Sequence, residues 1–207
     1  LLQTILTDLN SYFETGDISD SVSVEILSVD ATIDVILENI PSTVDTLKNN
    51  TRRNSRLDAQ INNWWLSSAT EYGFNPTSAK DAPNKLPTLA KVILTDWVFK
   101  IIFANVLKRH FNEARIIETI NSETSVEEAK QIIASISEHC NFWNIFSDNL
   151  AISNISTSAW KQIIKLNQFL CSINISEIEI EILHNLLQSS IVSAKRKVAG
   201  QFATPQK

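Results

Sequence analysis

The chain has 207 residues, long enough for one domain of ordinary size with a buried core. Its composition, 43% hydrophobic and 20% charged, is that of a globular chain and excludes both a disordered tail and a membrane-embedded protein. Its net charge of -5 comes from 18 basic and 23 acidic residues, and only three glycines occur, Gly16, Gly73 and Gly200. Hairpin sandwiches and doubly wound nucleotide-binding sheets need positive-φ turns or a glycine-rich phosphate loop, so this scarcity points to an all-α chain.

The sequence has no methionine and opens at Leu1 without a signal-peptide layout, which is expected of a piece of a larger protein. Cys140 and Cys171 are too few for a disulfide framework, and a reducing, cytoplasmic setting is expected. The sequons at Asn49, Asn154 and Asn174 are read as chance. Charge is distributed unevenly. Residues 1–47 hold nine acids and no bases, residues 48–115 hold eleven bases and five acids, and residues 116–207 hold seven bases and nine acids. A nucleic-acid partner such as DNA would meet the middle third, where Lys48, Arg52, Arg53 and Arg56 cluster, and a second basic knot at Lys195, Arg196 and Lys197. The bland account of either cluster is a solvated helix end.

In chain order, Leu2, Ile5, Leu6, Leu9 and Phe13 predict a surface helix over 2–14, ended by Gly16. Residues 21–27 alternate polar residues with Val22, Val24 and Ile26, a weak strand pattern with no evident partner. A helix is expected over 30–40, with Ile33, Ile36, Leu37 and Ile40 on one face and Pro41 as its stop. After a polar, asparagine-rich stretch, Leu57, Ile61, Trp64 and Trp65 predict a helix over 56–72, capped by Gly73. Pro76, Pro83 and Pro87 mark a loop over 73–87 that is expected to subdivide the chain. From Thr88 to Phe111 apolar residues surround the helix axis, Trp97 and Phe103 among them, which predicts a long buried central helix. Lys91, Asp96 and Lys100 interrupt that run too often for a membrane span. Its aromatic residues are read as core rather than as a ligand surface.

Ser125 with Glu128, and Ser176 with Glu179, have capping-box spacing and predict two further helices. Another is expected over 158–170, with Trp160, Ile163, Ile164 and Leu170 inward. Lys195, Arg196 and Lys197 suit the negative end of the last helix dipole. No repeat of solenoid period is present. The expected fold is an irregular helical bundle around the central helix. Its histidines, His110, His139 and His184, show no metal-ligand spacing, and neither a G-x-S-x-G string nor a Cys-His arrangement suited to a nucleophile is found.

One string stands apart: Lys195-Arg196-Lys197-Val198-Ala199-Gly200-Gln201-Phe202-Ala203-Thr204-Pro205. Together with Glu181-Ile182-Leu183-His184-Asn185-Leu186-Leu187 before it, it resembles the entry to the catalytic domain of adenine-N6 DNA methyltransferases of the type I and type IIG restriction-modification families. Their cofactor-proximal motif reads roughly G-Q/E-F-Y/F-T-P. The resemblance implies that Gly200, Phe202, Thr204 and Pro205 belong to one wall of an S-adenosylmethionine pocket; Ala203 departs from the usual aromatic. Upstream, over 1–198, the likeness is only that of a helical N-terminal domain, with 199–207 as the start of a truncated catalytic domain. The family's glycine-rich cofactor loop and its Asn/Asp-Pro-Pro-Tyr/Phe tetrapeptide are absent from this sequence. The resemblance therefore implies a docking part of a larger enzyme. Its expected partners are DNA, its own downstream catalytic domain and a restriction or specificity subunit, with no membrane. The alternative from another class is an all-α protein-interaction scaffold with no catalytic role.

Overall fold

The computed structural model describes residues 35–108, 110–148 and 150–172, and within them every regular element is helical. The expected helix over 2–14, the strand pattern over 21–27, the Ser176 capping box and the Lys195 knot all lie outside the described residues. Of the expected helix over 30–40, residues 35–37 are helical and a turn follows at Glu38 and Asn39. Ile36 is buried, whereas Leu37, placed on the same face by sequence, is 49% exposed.

Pro41 opens a helix instead of ending one: α1 spans Ile40–Arg53 with the proline in its first turn. There the missing amide hydrogen would have had no intrahelical partner, and the ring's fixed φ already suits a helix. The buried positions Thr43, Val44 and Leu47, with half-buried Ile40, fall at i, i+3, i+4 and i+7. A threonine occupies one of these four places, and so the stripe reads as polar sequence. Asn54 breaks the helix in an extended conformation (φ -135°, ψ 94°), and its side-chain oxygen accepts from the Leu57 amide at 3.1 Å to cap α2, Ser55–Ser68. Leu57, Ile61 and Trp65 of α2 are buried as their spacing predicts, and a 3-10 turn, Ala69–Tyr72, carries the chain to Gly73. Gly73 has φ 82°, the left-handed cap that glycine adopts without a Cβ penalty.

The proline-rich stretch is partly structured. Pro83 lies in a 3-10 turn, Ala82–Asn84, and Pro87 in the first turn of the central helix α3, Lys85–Leu107. The helix begins at Lys85 rather than Thr88, because a proline is tolerated in a first turn, and it ends at Leu107, before Phe111. Its buried residues, among them Leu89, Ile93, Leu94, Trp97, Ile101, Ile102 and Leu107, cover more than half of its circumference, and the partly buried Phe99, Phe103 and Val106 take the rest. Leu47, Leu57 and Ile61 from before the proline stretch lie in one core with Ile117, Ile136, Ile163 and Leu170 from after it. Among the described residues no helix is long and apolar enough to cross a membrane.

After α3 the chain forms an eight-residue 3-10 helix, Asn112–Thr119, which burial of Ala114 and Ile117 ties down. Helix α4, Val126–Cys140, starts from the expected capping box: the Glu128 amide donates to Ser125 Oγ at 3.2 Å and the Ser125 amide to the Glu128 carboxylate at 2.7 Å. Asn141, left-handed at φ 60°, ends it. A short helix α5, Trp143–Phe146, precedes α6, Thr157–Ser172, whose Ala159, Trp160, Ile163, Ile164 and Leu170 face inward. Helices α1, α4 and α6 and the 3-10 helix all lie against α3. Trp97 meets Trp160 edge-on with ring centroids 4.8 Å apart, and its Nε1 donates to the Ile152 carbonyl at 3.1 Å.

Trp97→Ala is expected to lower unfolding stability by about 3–5 kcal/mol in urea titration, since the side chain is fully buried. Phe103 is only partly buried, and its alanine variant should lose less than the Trp97 variant. Ser125→Ala should cost about 1 kcal/mol through the lost cap. The Ser125 backbone amide, and secondarily its hydroxyl, hold the exposed Glu128 carboxyl below the usual carboxylate range. A folded pKa below the unfolded one means that this contribution is complete above the ordinary glutamate value of about 4.3 and fades as pH falls through the folded value. The difference between wild type and Ser125→Ala should therefore narrow in acid.

Candidate functional site

The four cations singled out by sequence are brought to one corner of the surface. Lys48, Arg52 and Arg53 occupy the solvent side of the C-terminal half of α1, Arg56 lies in the first turn of α2, and all four are exposed. Arg52 and Arg53 stand in the last turn of α1, where positive charge complements the dipole. Arg56 stands at the opposite pole of its own helix, so the dipole disfavours a cation there and the solvated-end account does not cover it. Lys48 pairs with Asp45 at 3.7 Å, both side chains lying mostly in water. Such pairs are worth about 0–1 kcal/mol, weak enough for the ammonium to change partner.

The rest of the basic middle third is not all at the surface. Lys100, on α3, is 1% exposed and lies 2.9 Å from Asp96, one turn earlier. It also donates to the Ser147 carbonyl at 2.8 Å and lies 3.8 Å from Asp148. Asp148 reaches Lys130 on α4 at 3.2 Å, and Lys130 in turn donates to Ser153 Oγ at 3.2 Å and pairs with Glu127 at 3.5 Å. Burial pulls the Lys130 ammonium down, but its hydrogen bond and attraction to Asp148 outweigh this and raise it above the usual lysine value. Lys108, 10% exposed, pairs with Glu118 at 3.3 Å. These lysines are engaged by carboxylates and other acceptors within the fold. Sequence reasoning used Lys100 only to reject a membrane span; the i, i+4 spacing from Asp96 was the legible signal of its pairing.

A second polar cluster is neutral and fully internal. Asn105 donates to the Asn167 side-chain oxygen at 2.8 Å, and Asn167 donates to the Ile117 carbonyl at 3.0 Å, joining α3, α6 and the 3-10 helix. The Cys171 thiol reaches the Asn105 side-chain oxygen at 3.4 Å. Burial, with the Glu118 charge adding to it and Lys108 opposing, raises the Cys171 thiol; burial and Glu113 do the same for Cys140. Both sulfurs remain protonated near neutrality, which makes them poor nucleophiles. His139 Nδ1 is 2.7 Å from the Ser135 carbonyl in its own helix. Among the described residues no group of three histidine, cysteine or acidic side chains could hold a metal ion.

An open groove of about 510 Å³ runs between the 3-10 helix and α4, lined by Ile116, Thr124, Gln131, Ile132 and two carboxylates, Glu123 and Glu128. Glu128 is already engaged in the capping box, and the groove gathers no acid-base pair. The residues that the methyltransferase resemblance assigns to S-adenosylmethionine, Gly200, Phe202, Thr204 and Pro205, lie outside the described residues. Comparison with protein-family models, with curated proteins and with solved structures returned no match.

Lys100→Met should destabilise the chain by about 3–5 kcal/mol, because it breaks the buried pair with Asp96 and removes the donor to the Ser147 carbonyl. Asp148→Asn, at a side chain 54% exposed, should cost about 1 kcal/mol or less. Equal losses in chemical denaturation would contradict the internal role given to Lys100.

Proposed function

We propose that this chain is the helical N-terminal part of an adenine-N6 DNA methyltransferase or combined restriction-modification enzyme, and that its own task is to dock on the DNA backbone. The observation that carries the docking role is the corner of Lys48, Arg52, Arg53 and Arg56, exposed together across the α1–α2 break, with Arg56 placed against its helix dipole. The reading of the whole protein rests on the string Gly200-Gln201-Phe202-Ala203-Thr204-Pro205. Phosphate contacts of this kind position a protein on DNA without reading sequence. Methyl transfer from S-adenosylmethionine to an adenine turned out of the duplex would be the work of a downstream catalytic domain. That domain and a restriction or specificity subunit are the proposed protein partners, in a cytoplasmic setting.

In this reading, titration of a short duplex at two salt concentrations gives weak, sequence-independent binding. Changing all four cations to glutamine should flatten the slope of log affinity against log salt by about 0.9 for each lost phosphate contact. Indistinguishable binding by the two proteins would remove the corner from the DNA interface and leave contacts with other protein parts as the domain's role. The chain should also show no micromolar affinity for S-adenosylmethionine in calorimetry, because neither the glycine-rich loop nor the catalytic tetrapeptide is in its sequence.

A further inference from the structure

The corner is not uniformly basic. Asp45 is the only acid between Ile40 and Arg53, and it lies one turn before Lys48 on the exposed side of α1, away from the buried Thr43, Val44 and Leu47. Its Oδ1 is 3.7 Å from Lys48 Nζ, with the two side chains 73% and 52% exposed respectively. Among the described residues no carboxylate lies within ion-pair distance of Arg52, Arg53 or Arg56. Among the described residues, one of the four cations thus has a carboxylate partner and three do not.

We infer that Asp45 is a built-in competitor for phosphate: it holds Lys48 while DNA is absent and must release it when a backbone phosphate arrives. This inference rests on the DNA-docking role proposed above. An exposed ion pair exchanges readily, since water and salt screen it on all sides. The displaced carboxylate stays tethered close to the incoming phosphate. A like charge roughly 6 Å away in water weakens an association by about threefold. The effect is strongest at the Lys48 contact, where Asp45 must also give up its ion pair, and it fades over about 10 Å at ordinary ionic strength. Asp45 therefore keeps the corner weak and reversible.

The test is a double-mutant cycle on the full 207-residue chain, with binding to a fluorescent 20-base-pair duplex read by anisotropy at two salt concentrations. Asp45→Asn should bind about three times more tightly than wild type, and most of the gain should be lost when Lys48→Gln is already present. An equal gain in both backgrounds would show that Asp45 acts only as a distant charge, and no gain in either would show that it does not compete; each result overturns the inference. The quadruple glutamine protein separates this from the broader reading. If it loses salt-dependent binding while Asp45→Asn changes nothing, docking stands and the competition falls. If it binds as wild type does, the corner is not the interface and both fall. Asp45 is exposed and Asn keeps its shape, so an unchanged circular dichroism spectrum is expected of the single variant.

Discussion

Helix α3 is apolar on every side, and that single constraint organises the other elements. An amphipathic helix needs one covering layer; a helix with Ile93, Leu94, Val98 and Ile102 buried and Phe99 and Phe103 partly buried around its axis must be covered on several sides to leave water. Each fully buried side chain of this size contributes about 1.5–3 kcal/mol. Helices α1, α4 and α6 and the Asn112–Thr119 turn supply the cover, each through a stripe of its own. Trp97 couples burial to direction, because its ring nitrogen finds the Ile152 carbonyl and so locates the irregular segment that leads into α6.

Hydrophobic enclosure by itself would tolerate several arrangements of the same helices, and the internal polar groups discriminate among them. Lys100 accepts only a surrounding that offers Asp96, the Ser147 carbonyl and Asp148 together. Asn105 and Asn167 in the same way require the Ile117 carbonyl beside α6. Such groups add little net stability compared with a well-packed apolar substitute, yet leaving one without its partner is costly. Their effect is to penalise misplaced packing of the 147–153 segment and of the 3-10 helix.

The same division of charge shapes the surface. Lysines drawn inward neutralise acids within the fold, while the α1–α2 break turns Arg52, Arg53 and Arg56 outward beside Lys48. A chain with a net charge of -5 thereby presents a local cationic corner. At a Debye length of about 10 Å, a polyanion touching that corner responds to the corner and to Asp45 more than to the total charge.

The sequence by itself determined the helical class, through its glycine scarcity, and it located α2, α3, α4 and α6 by apolar spacing, capping residues and Gly73. These signals are local: a cap or a stripe acts within a few residues of itself, so no knowledge of neighbours is needed to read it. The basic corner was legible for the same reason, its members falling within nine positions of one another. Helix α1 was not legible, because a buried threonine filled one place in its stripe and Pro41 resembled a stop. Only the tertiary structure decided that Pro41 begins a helix, that Lys100 and Lys108 are internal, and that Asn105 meets Asn167. Whether a lysine faces water or a carboxylate depends on elements tens of residues away, and the burial that makes such a contact matter exists only once those elements have closed around α3.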